Sequence, residues 1–276
     1  MQSVPLKAET IRHRLTTRRL GRSLHLFEEL ASTNATAFTL AGSGATHGTA
    51  VLAETQTAGK GRLGRHWISP PHLNLYCSVI LKEPTISRHV SWIPLVTGLA
   101  LAEATRRYCD IEISLKWPND LLYVEKKIGG ILCESSSQGS RFSTCIVGFG
   151  VNVNCRETDF PEELRSLATS CLQATRQCHD RNGLIADMFN QLESWYDCVE
   201  TEQFEHVRKS YVASCATLGR KVQVACVEGE TIHGTAIDIG KDGALLVATV
   251  RKGQPHTMEI RSADVQHLRQ LILPLP

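Results

Sequence analysis

The chain has 276 residues, a net charge of +2, and hydrophobic and charged fractions of 42% and 21%, which are typical of a soluble globular protein. The near-neutral charge argues against a global electrostatic attraction to nucleic acid or to membrane surfaces. The N-terminus lacks the apolar core of a signal peptide, and no apolar run is long enough to span a bilayer, so we expect a cytoplasmic protein. The ten cysteines form no CxxC pair and are expected to be reduced thiols that fill core space.

The first half of the chain predicts strands that alternate with helices. Residues 1–22 carry five arginines, with Ile11 and Leu15 at helical spacing; we expect a short helix on the next domain, with the arginines on a solvated face. Residues 24–28 predict a strand, and Ser32 can cap a helix through residues 35–40. Further strands are predicted at 49–55, 74–81, 111–115, 121–124, 127–134 and 141–152, with a helix at 92–108 and a tight hairpin at 125–126.

The second half predicts helices followed by a small all-β unit. Apolar residues recur at three- and four-residue steps over 182–198 and 202–214, which indicates amphipathic helices that face a core. After Cys215 the composition changes to short runs at 220–227, 230–239, 244–250 and 257–261, separated by glycine-containing turns. Several short strands within about fifty residues predict a small barrel.

A loop between residues 57 and 67 is the first candidate functional segment. It holds three glycines, the cations Lys60, Arg62 and Arg65, and no acid. Glycine allows the backbone to approach a ligand closely, and the planar fork of arginine suits phosphate. A Walker loop is excluded because Gly61, not Ser or Thr, follows Lys60, and a dinucleotide fingerprint is excluded because no helix can begin in the Pro-containing segment that follows. Alone, such a loop is more often a solvated turn or a nonspecific anion contact.

Four further motifs accompany this loop. They are Ser32-Thr33-Asn34, Glu54-Thr55-Gln56, Lys116-Trp117-Pro118-Asn119-Asp120 with the following Lys127-Ile128-Gly129-Gly130, and Gly148-Phe149-Gly150-Val151-Asn152. In this order the set resembles the biotin protein ligase family, from about Leu24 to Arg269. The resemblance implies an α+β fold: a mixed β-sheet catalytic domain with helices packed on one side, then a small SH3-like barrel. The implied boundaries are 1–22, 23–214 and 215–276.

The resemblance also implies a two-step reaction. Biotin attacks the α-phosphorus of ATP, which is accompanied by Mg²⁺, to give biotinyl-5′-AMP and pyrophosphate. A lysine of a biotin carboxyl carrier domain, in acetyl-CoA carboxylase or a related carboxylase, then takes the biotin. The implied catalytic residues are Arg62 and Lys127. The implied biotin contacts are Ser32, Thr33, Asn34, Gln56, Gly59, Lys60, Arg62, Lys127 and Gly130. The implied ATP and adenylate contacts are Arg62, Arg65, Trp67, Asn119, Asp120, Lys127, Asn152 and Arg269, with Asp120 also as a Mg²⁺ ligand.

Several of these residues also have plain structural interpretations. Lys127 can be a surface lysine of a hairpin, Asn119 and Asp120 can form an Asx turn after Pro118, and Trp67 can merely hold the base of the loop. The chain departs from the family pattern at Lys60, where arginine is usual, at Phe149 in the GxGxN strand, and at Ala263 in place of glycine. The last departure bears on the role implied for Arg269.

Two other functions stay open at this stage. One is lipoate or octanoate transfer on the same scaffold, and the other is a biotin-sensing binding protein or repressor. Many relatives carry an N-terminal winged helix-turn-helix domain, for which residues 1–22 are too short, so we expect no DNA binding. A homodimer formed by pairing of sheets is common in the family. We also expect the loop at 59–67 to become ordered when biotinyl-adenylate binds.

Overall fold

The computed structural model describes residues 4–82, 89–138, 141–226, 231–251, 253–261 and 263–267. The α-helices are α1 Ala8–His13, α2 Thr33–Gly42, α3 Ile93–Cys109, α4 Cys171–Thr175, α5 Arg181–Glu200 and α6 Phe204–Ser214. The strands are β1 Leu24–Leu30, β2 Ala50–Gln56, β3 Leu75–Leu81, β4 Ser114–Lys116, β5 Asp120–Tyr123, β6 Lys126–Gln138, β7 Arg141–Val151, β8 Lys221–Cys226, β9 Thr231–Ile239, β10 Leu245–Arg251, β11 Gln254–Ile260 and β12 Ala263–His267. Within these ranges, no helix combines the length and the apolar character that crossing a membrane requires.

The first seven strands form one mixed sheet, which confirms the predicted sheet type. Their order is β1-β2-β3-β7-β6-β5-β4, with β1 parallel to β2 and the other neighbours antiparallel. Every residue of β3 is buried, as expected for an apolar run with strands on either side and layers above and below.

Most helices pack on one face of this sheet, as predicted, and α2 adds a layer on the other face. Alternate residues of β2, β3 and β7 face a small cluster with Ala37 of α2, namely Val51, Ile80 and Ile146. Their sequence neighbours face the larger core, which contains the apolar stripes of α3 and α5. Strands that are apolar on both faces require a helix on each, and α2 supplies the second layer.

The last five strands form an antiparallel sheet with the order β11-β10-β9-β8-β12. The strand β12 was not predicted, and closure into a barrel stays a prediction. This C-terminal sheet is tied to the first sheet near β4. The Ala216 amide donates to the Leu115 carbonyl at 2.8 Å, and the Trp117 indole donates to the Gly243 carbonyl at 3.0 Å.

Two local predictions require correction. The strand expected at 111–115 begins only at Ser114. The hairpin turn lies at Val124 and Glu125, not at 125–126: both have positive φ, 44° and 68°, and Tyr123 pairs with Lys126. Two left-handed residues in a two-residue turn match the twist of the flanking strands, which outweighs the strain of positive φ at a β-branched valine.

Four of the five N-terminal arginines are exposed, as predicted, and several of the five also pair with acidic residues. The helix α1 lies against α5, and the segment after α1 meets the acidic residues of α5 and its N-cap. Arg14 contacts Asp180 at 2.6 Å, and Arg19 contacts Asp197 and Glu200, each at 2.9 Å. The acids that neutralise these arginines lie about 180 residues later, so local composition gave no sign of the pairing.

Candidate active site

A cavity lies on the face of the seven-stranded sheet that carries α2. Strand alternation puts Gly130 and Leu132 of β6, and Gly148 and Gly150 of β7, on this face. Because glycine has no side chain, this part of the sheet is bare and a ligand can approach the backbone. The cavity, together with the open solvent at its mouth, has about 490 Å³ of empty space; its lining residues are Ser32, Thr33, Asn34, Gln56, Lys60, Gly61, Arg62, Trp67, Asn119, Lys127, Gly130, Ile131, Leu132, Gly148, Phe149 and Gly150.

The glycine loop folds into a small hairpin over the mouth of this cavity. The Gly61 amide donates to the Arg65 carbonyl at 2.7 Å, and the Trp67 amide donates to the Gly59 carbonyl at 3.0 Å. At the tip, Leu63 has φ 55° and a 65% exposed side chain. A Cβ on Gly59 would lie 2.6 Å from the Trp67 carbonyl oxygen, so glycine is required where the two arms of the hairpin meet.

Arg62 extends from this hairpin to two other elements. Its Nη1 donates to Asn119 Oδ1 at 3.2 Å, and its Nη2 donates to the backbone carbonyl of Ala263 in β12 at 3.1 Å. Asn119 is itself fixed, because its Nδ2 donates to the Ile131 carbonyl at 2.9 Å. The guanidinium is therefore held at the cavity wall between the first sheet and the C-terminal sheet.

Lys127 enters the same cavity from β6. Its Nζ lies 2.7 Å from Asp120 Oδ1 and 5.5 Å from the centroid of the Trp67 ring, within reach of a cation–π contact. A Cβ on Gly130 would lie 3.1 Å from Nζ, so the lysine side chain lies across a strand position that must stay small. Arg62 and Lys127 thus come from separate elements and line one cavity.

Trp67 lies against two glycines of the sheet, Gly150 and Gly130. A Cβ on Gly150 would be 2.5 Å from its ring, which leaves no room for any other residue at that position. The indole nitrogen is buried and has no hydrogen-bond partner among the described residues. An unpaired buried donor costs free energy, so this wall of the cavity suits a ligand that brings an oxygen acceptor.

Polar side chains form the end of the cavity at the start of α2. Gln56 Oε1 accepts from the Thr33 amide at 2.9 Å and lies 3.1 Å from the Thr33 hydroxyl. Ser78 Oγ lies 2.8 Å from the Thr33 hydroxyl and 2.6 Å from Asn34 Oδ1. Ser32 stands at the N-cap of α2, as predicted, but its side chain makes no capping hydrogen bond and instead lines the cavity.

Most of the residues predicted for the site lie around this cavity, and their roles stay predictions. Ten of them line it: Ser32, Thr33, Asn34, Gln56, Lys60, Arg62, Trp67, Asn119, Lys127 and Gly130. Asp120 adjoins it through Lys127, Gly59 is buried at the base of the hairpin, and Arg65 is exposed on the hairpin. Arg269 lies outside the described residues.

Asn152 is not among the lining residues. Its Nδ2 donates to the Thr169 carbonyl at 3.0 Å, and its Oδ1 lies 3.5 Å from Asn74 Nδ2. The strand β7 ends at Val151, so strand alternation does not extend to Asn152. The side chain therefore joins the segment at 169 to the sheet and does not face the cavity.

The sequence-based site omitted residues on which the cavity depends. Gly148 and Gly150 shape the floor, and Ser78 and Glu134 contact the polar end through Asn34. Two glycines at alternate positions of an apolar strand were a usable signal, because they mark one bare face. Ser78 and Glu134 gave no signal, since their contacts depend on strand pairing across the sheet.

This chain is similar to known proteins in both sequence and structure. Residues 26–152 match the model of the Biotin/lipoate A/B protein ligase family. The chain is 33% identical to the bifunctional ligase/repressor BirA of Bacillus spizizenii over 261 residues, which cover 95% of this chain and 79% of that protein. It is 30% identical to the biotin–[acetyl-CoA-carboxylase] ligase of Mycobacterium tuberculosis over 275 residues, 96% of this chain and 97% of that one. The structure of the Aquifex aeolicus biotin protein ligase in complex with biotin and ATP superposes with a TM-score of 0.78 at 30% identity, and covers 90% of this chain and 100% of that one.

Proposed function

Since this chain belongs to the biotin protein ligase family, we propose that it activates biotin with ATP and transfers it to a lysine of a biotin carboxyl carrier domain. The observation that carries the proposal is the convergence of Arg62 and Lys127 on one cavity whose far end is formed by Thr33 and Gln56. Two cations suit the joining of two anions, and a hydroxyl with an amide suits a ring that offers N–H donors and a carbonyl.

In the first step the biotin carboxylate attacks the α-phosphorus of ATP, and pyrophosphate leaves. Lys127 and Arg62 offset the repulsion between the two anions and stabilise the negative charge that develops on the α-phosphate. Asp120 holds the Lys127 amine at 2.7 Å, which orients its charge before the substrates arrive. In the second step the acceptor lysine attacks the mixed anhydride, forms an amide and releases AMP.

The residues present fit Mg²⁺ only as a partner of the nucleotide. No group of three or more His, Cys, Asp or Glu side chains that could hold a metal occurs within the described ranges. Asp120 pairs with Lys127 and would hold the ion, together with phosphate oxygens, because Mg²⁺ prefers oxygen ligands and is often bound by one or two carboxylates. When bound, the ion would neutralise phosphate charge.

The unpaired indole nitrogen of Trp67 supports a nucleotide at this wall. The ring lies against Gly150 and Gly130 and lines the cavity, where its indole N–H can donate to a ribose or phosphate oxygen. The hairpin that carries Trp67 also carries Arg62, so closure of the loop over the adenylate would exclude water from a reactive anhydride.

The biological setting follows from the same proposal. The acceptor is the carrier domain of acetyl-CoA carboxylase or a related carboxylase, and the reaction takes place in the cytoplasm. The near-neutral net charge of +2 supports a protein that does not bind DNA. A homodimer formed by sheet pairing stays a prediction.

The experiment that tests the proposal compares three acids in ATP–pyrophosphate exchange. Biotin should support exchange, and lipoate and octanoate should not; the reverse result would make the protein a lipoate or octanoate ligase. Labelled biotin should then appear on a carrier domain and not on its acceptor Lys→Arg variant. Binding of biotin without exchange or transfer would indicate a biotin-sensing protein.

A further inference from the structure

The side chain of Asn34 crosses the sheet at the polar end of the cavity. Ser78 of β3, Gly148 of β7 and Leu132 of β6 are paired in one row, and the Asn34 amide lies over the middle of it. A Cβ on Gly148 would be 2.1 Å from Asn34 Oδ1, so the amide occupies the space that glycine leaves. Asn34 is only 4% exposed, and its orientation is set by protein contacts.

Glu134 determines which way this amide points. Asn34 Nδ2 lies 2.6 Å from Glu134 Oε2 and 3.3 Å from the Leu132 carbonyl, and both of these oxygens accept from the amide nitrogen. The nitrogen must therefore face β6, and Oδ1 must face Ser78. Because Oδ1 can only accept, the Ser78 hydroxyl donates to it across 2.6 Å.

The number of available hydroxyl protons determines whether Thr33 can donate to a ligand. Ser78 has one proton, which Asn34 takes. The Thr33 hydroxyl donates to Gln56 Oε1 at 3.1 Å, and it lies 2.8 Å from Ser78 Oγ, whose one proton is already committed to Asn34. The Thr33 proton is thus committed to the protein, and Thr33 offers the cavity lone pairs and no donor.

We propose that Glu134 is a positioning residue that acts through Asn34 and Ser78 to make Thr33 an acceptor for a ligand N–H group. These four residues form a polar relay. The inference rests on the proposed function and extends it, since it explains how the polar end is matched to a cyclic urea, which has two N–H donors. Without the carboxylate, the Asn34 amide loses its strongest contact and can reverse, and the Ser78 proton then occupies a Thr33 lone pair.

Steady-state kinetics of biotin-dependent exchange test the relay. Glu134→Leu should raise KM for biotin about tenfold, the loss expected for one mismatched hydrogen bond, and leave kcat and KM for ATP unchanged. Glu134→Gln keeps an acceptor oxygen without the charge and should stay within about threefold of the wild type by the same reasoning. Ser78→Ala removes the proton that would occupy Thr33, so in this background Glu134→Leu should add less than about twofold to KM for biotin, and the test does not depend on one variant.

A double-mutant cycle separates the relay from a purely structural role. In a Thr33→Val background, Glu134→Leu should add less than about twofold to KM for biotin, because residues that act as one unit are not additive. Multiplicative effects, or a Glu134→Gln variant as impaired as Glu134→Leu, would overturn the relay. The relay would also be overturned if the wild-type protein shows exchange and Glu134→Leu leaves KM for biotin unchanged. A wild-type protein that fails to use biotin would instead overturn the proposed function.

Discussion

Arg62 in the glycine hairpin donates a hydrogen bond of 3.1 Å to the backbone carbonyl of Ala263, which lies 201 positions later in β12. The same guanidinium donates to Asn119 at 3.2 Å. The hairpin that lines the cavity is therefore fastened through one side chain both to Asn119, beside the first sheet, and to the C-terminal sheet.

The first prediction concerns retention of the intermediate. Arg62→Ala removes a cation at the cavity and the fastening of the hairpin, so biotinyl-adenylate should dissociate at least about tenfold faster, equivalent to about 1.4 kcal/mol. Release of labelled adenylate into a filter-binding or rapid-dilution assay measures the rate. Arg251→Ala, at an exposed position of β10, is the control for loss of one arginine. Equal retention by both variants would contradict the role of Arg62.

The second prediction separates the two chemical steps at Lys127. Lys127→Met should slow adenylate formation by about a hundredfold or more, because the variant lacks the positive charge that stabilises the negative charge developing on the α-phosphate. Transfer from supplied biotinyl-adenylate to the carrier domain should change far less. Pyrophosphate exchange reports the first step, and single-turnover transfer reports the second.

The neighbouring lysine provides the matched control. Lys126 Nζ donates to the Arg165 carbonyl at 3.2 Å and does not line the cavity, so Lys126→Met should retain both activities. If Lys127→Met and Lys126→Met behaved alike in exchange, Lys127 would be an ordinary hairpin lysine.

The third prediction uses the bare face of β7. Gly150→Ala places a methyl group 2.5 Å from the Trp67 ring, so the ring and its hairpin must move. We expect the free energy of unfolding to fall by about 1–3 kcal/mol because of overpacking. We also expect the KM of the variant for ATP to exceed that of the wild type. Gly42→Ala is the control, because nothing lies within 4 Å of its added Cβ. An unchanged KM for ATP in Gly150→Ala would contradict a contact between Trp67 and the nucleotide.

The sequence predicts elements and motifs well where their cause is local. Apolar periodicity predicts α3, α5 and α6 to within a few residues, and the glycine loop and Lys127 lie at one cavity as the motifs suggest. Partners far apart in sequence were not predictable: the acids that pair with the N-terminal arginines, the contact of Arg62 with β12, and the row of Ser78, Gly148 and Leu132 depend on strand pairing. Asn152 shows the opposite error, since strand alternation was extended one residue beyond the end of β7.

The fourth prediction concerns acid stability and His267. Burial, together with the charges of Lys116 and Arg220, lowers the pKa of His267 from 6.5 to about 4. His267 Nε2 lies 3.0 Å from the Thr217 hydroxyl, which accepts from the Trp117 amide at 3.0 Å, so the neutral ring supports the connection between the two sheets.

The sign of the pH effect follows from proton counting. Between pH 6.5 and about 4 the unfolded state binds a proton at this histidine and the folded state does not, so stability is full above this window and falls as the pH is lowered through it. Because the ring is partly exposed, we expect a loss of about 1–2 kcal/mol from this group. Urea unfolding at pH 7.5 and pH 5 should show a smaller difference for His267→Gln than for wild type. The exposed control His256→Gln should keep the wild-type difference.

The fifth prediction concerns the buried ion pair behind β2. Arg181 contacts the two carboxylate oxygens of Glu54 at 2.6 and 3.2 Å, and the Glu54 carboxylate also accepts from the Leu6 amide at 2.6 Å. The side chains are 0% and 3% exposed. Glu54→Gln leaves a buried guanidinium without its counter-charge, which should cost about 3–5 kcal/mol of unfolding free energy.

The exposed pair of Arg220 and Glu125 is the matched control, with side chains 38% and 60% exposed, and Glu125→Gln should cost at most about 1 kcal/mol. If denaturant unfolding gave the same loss of unfolding free energy for Glu54→Gln and Glu125→Gln, burial would not strengthen the pair of Glu54 and Arg181. A large loss only in Glu54→Gln would show that the strand leading to Gln56 and the glycine hairpin is fixed by this charge pair.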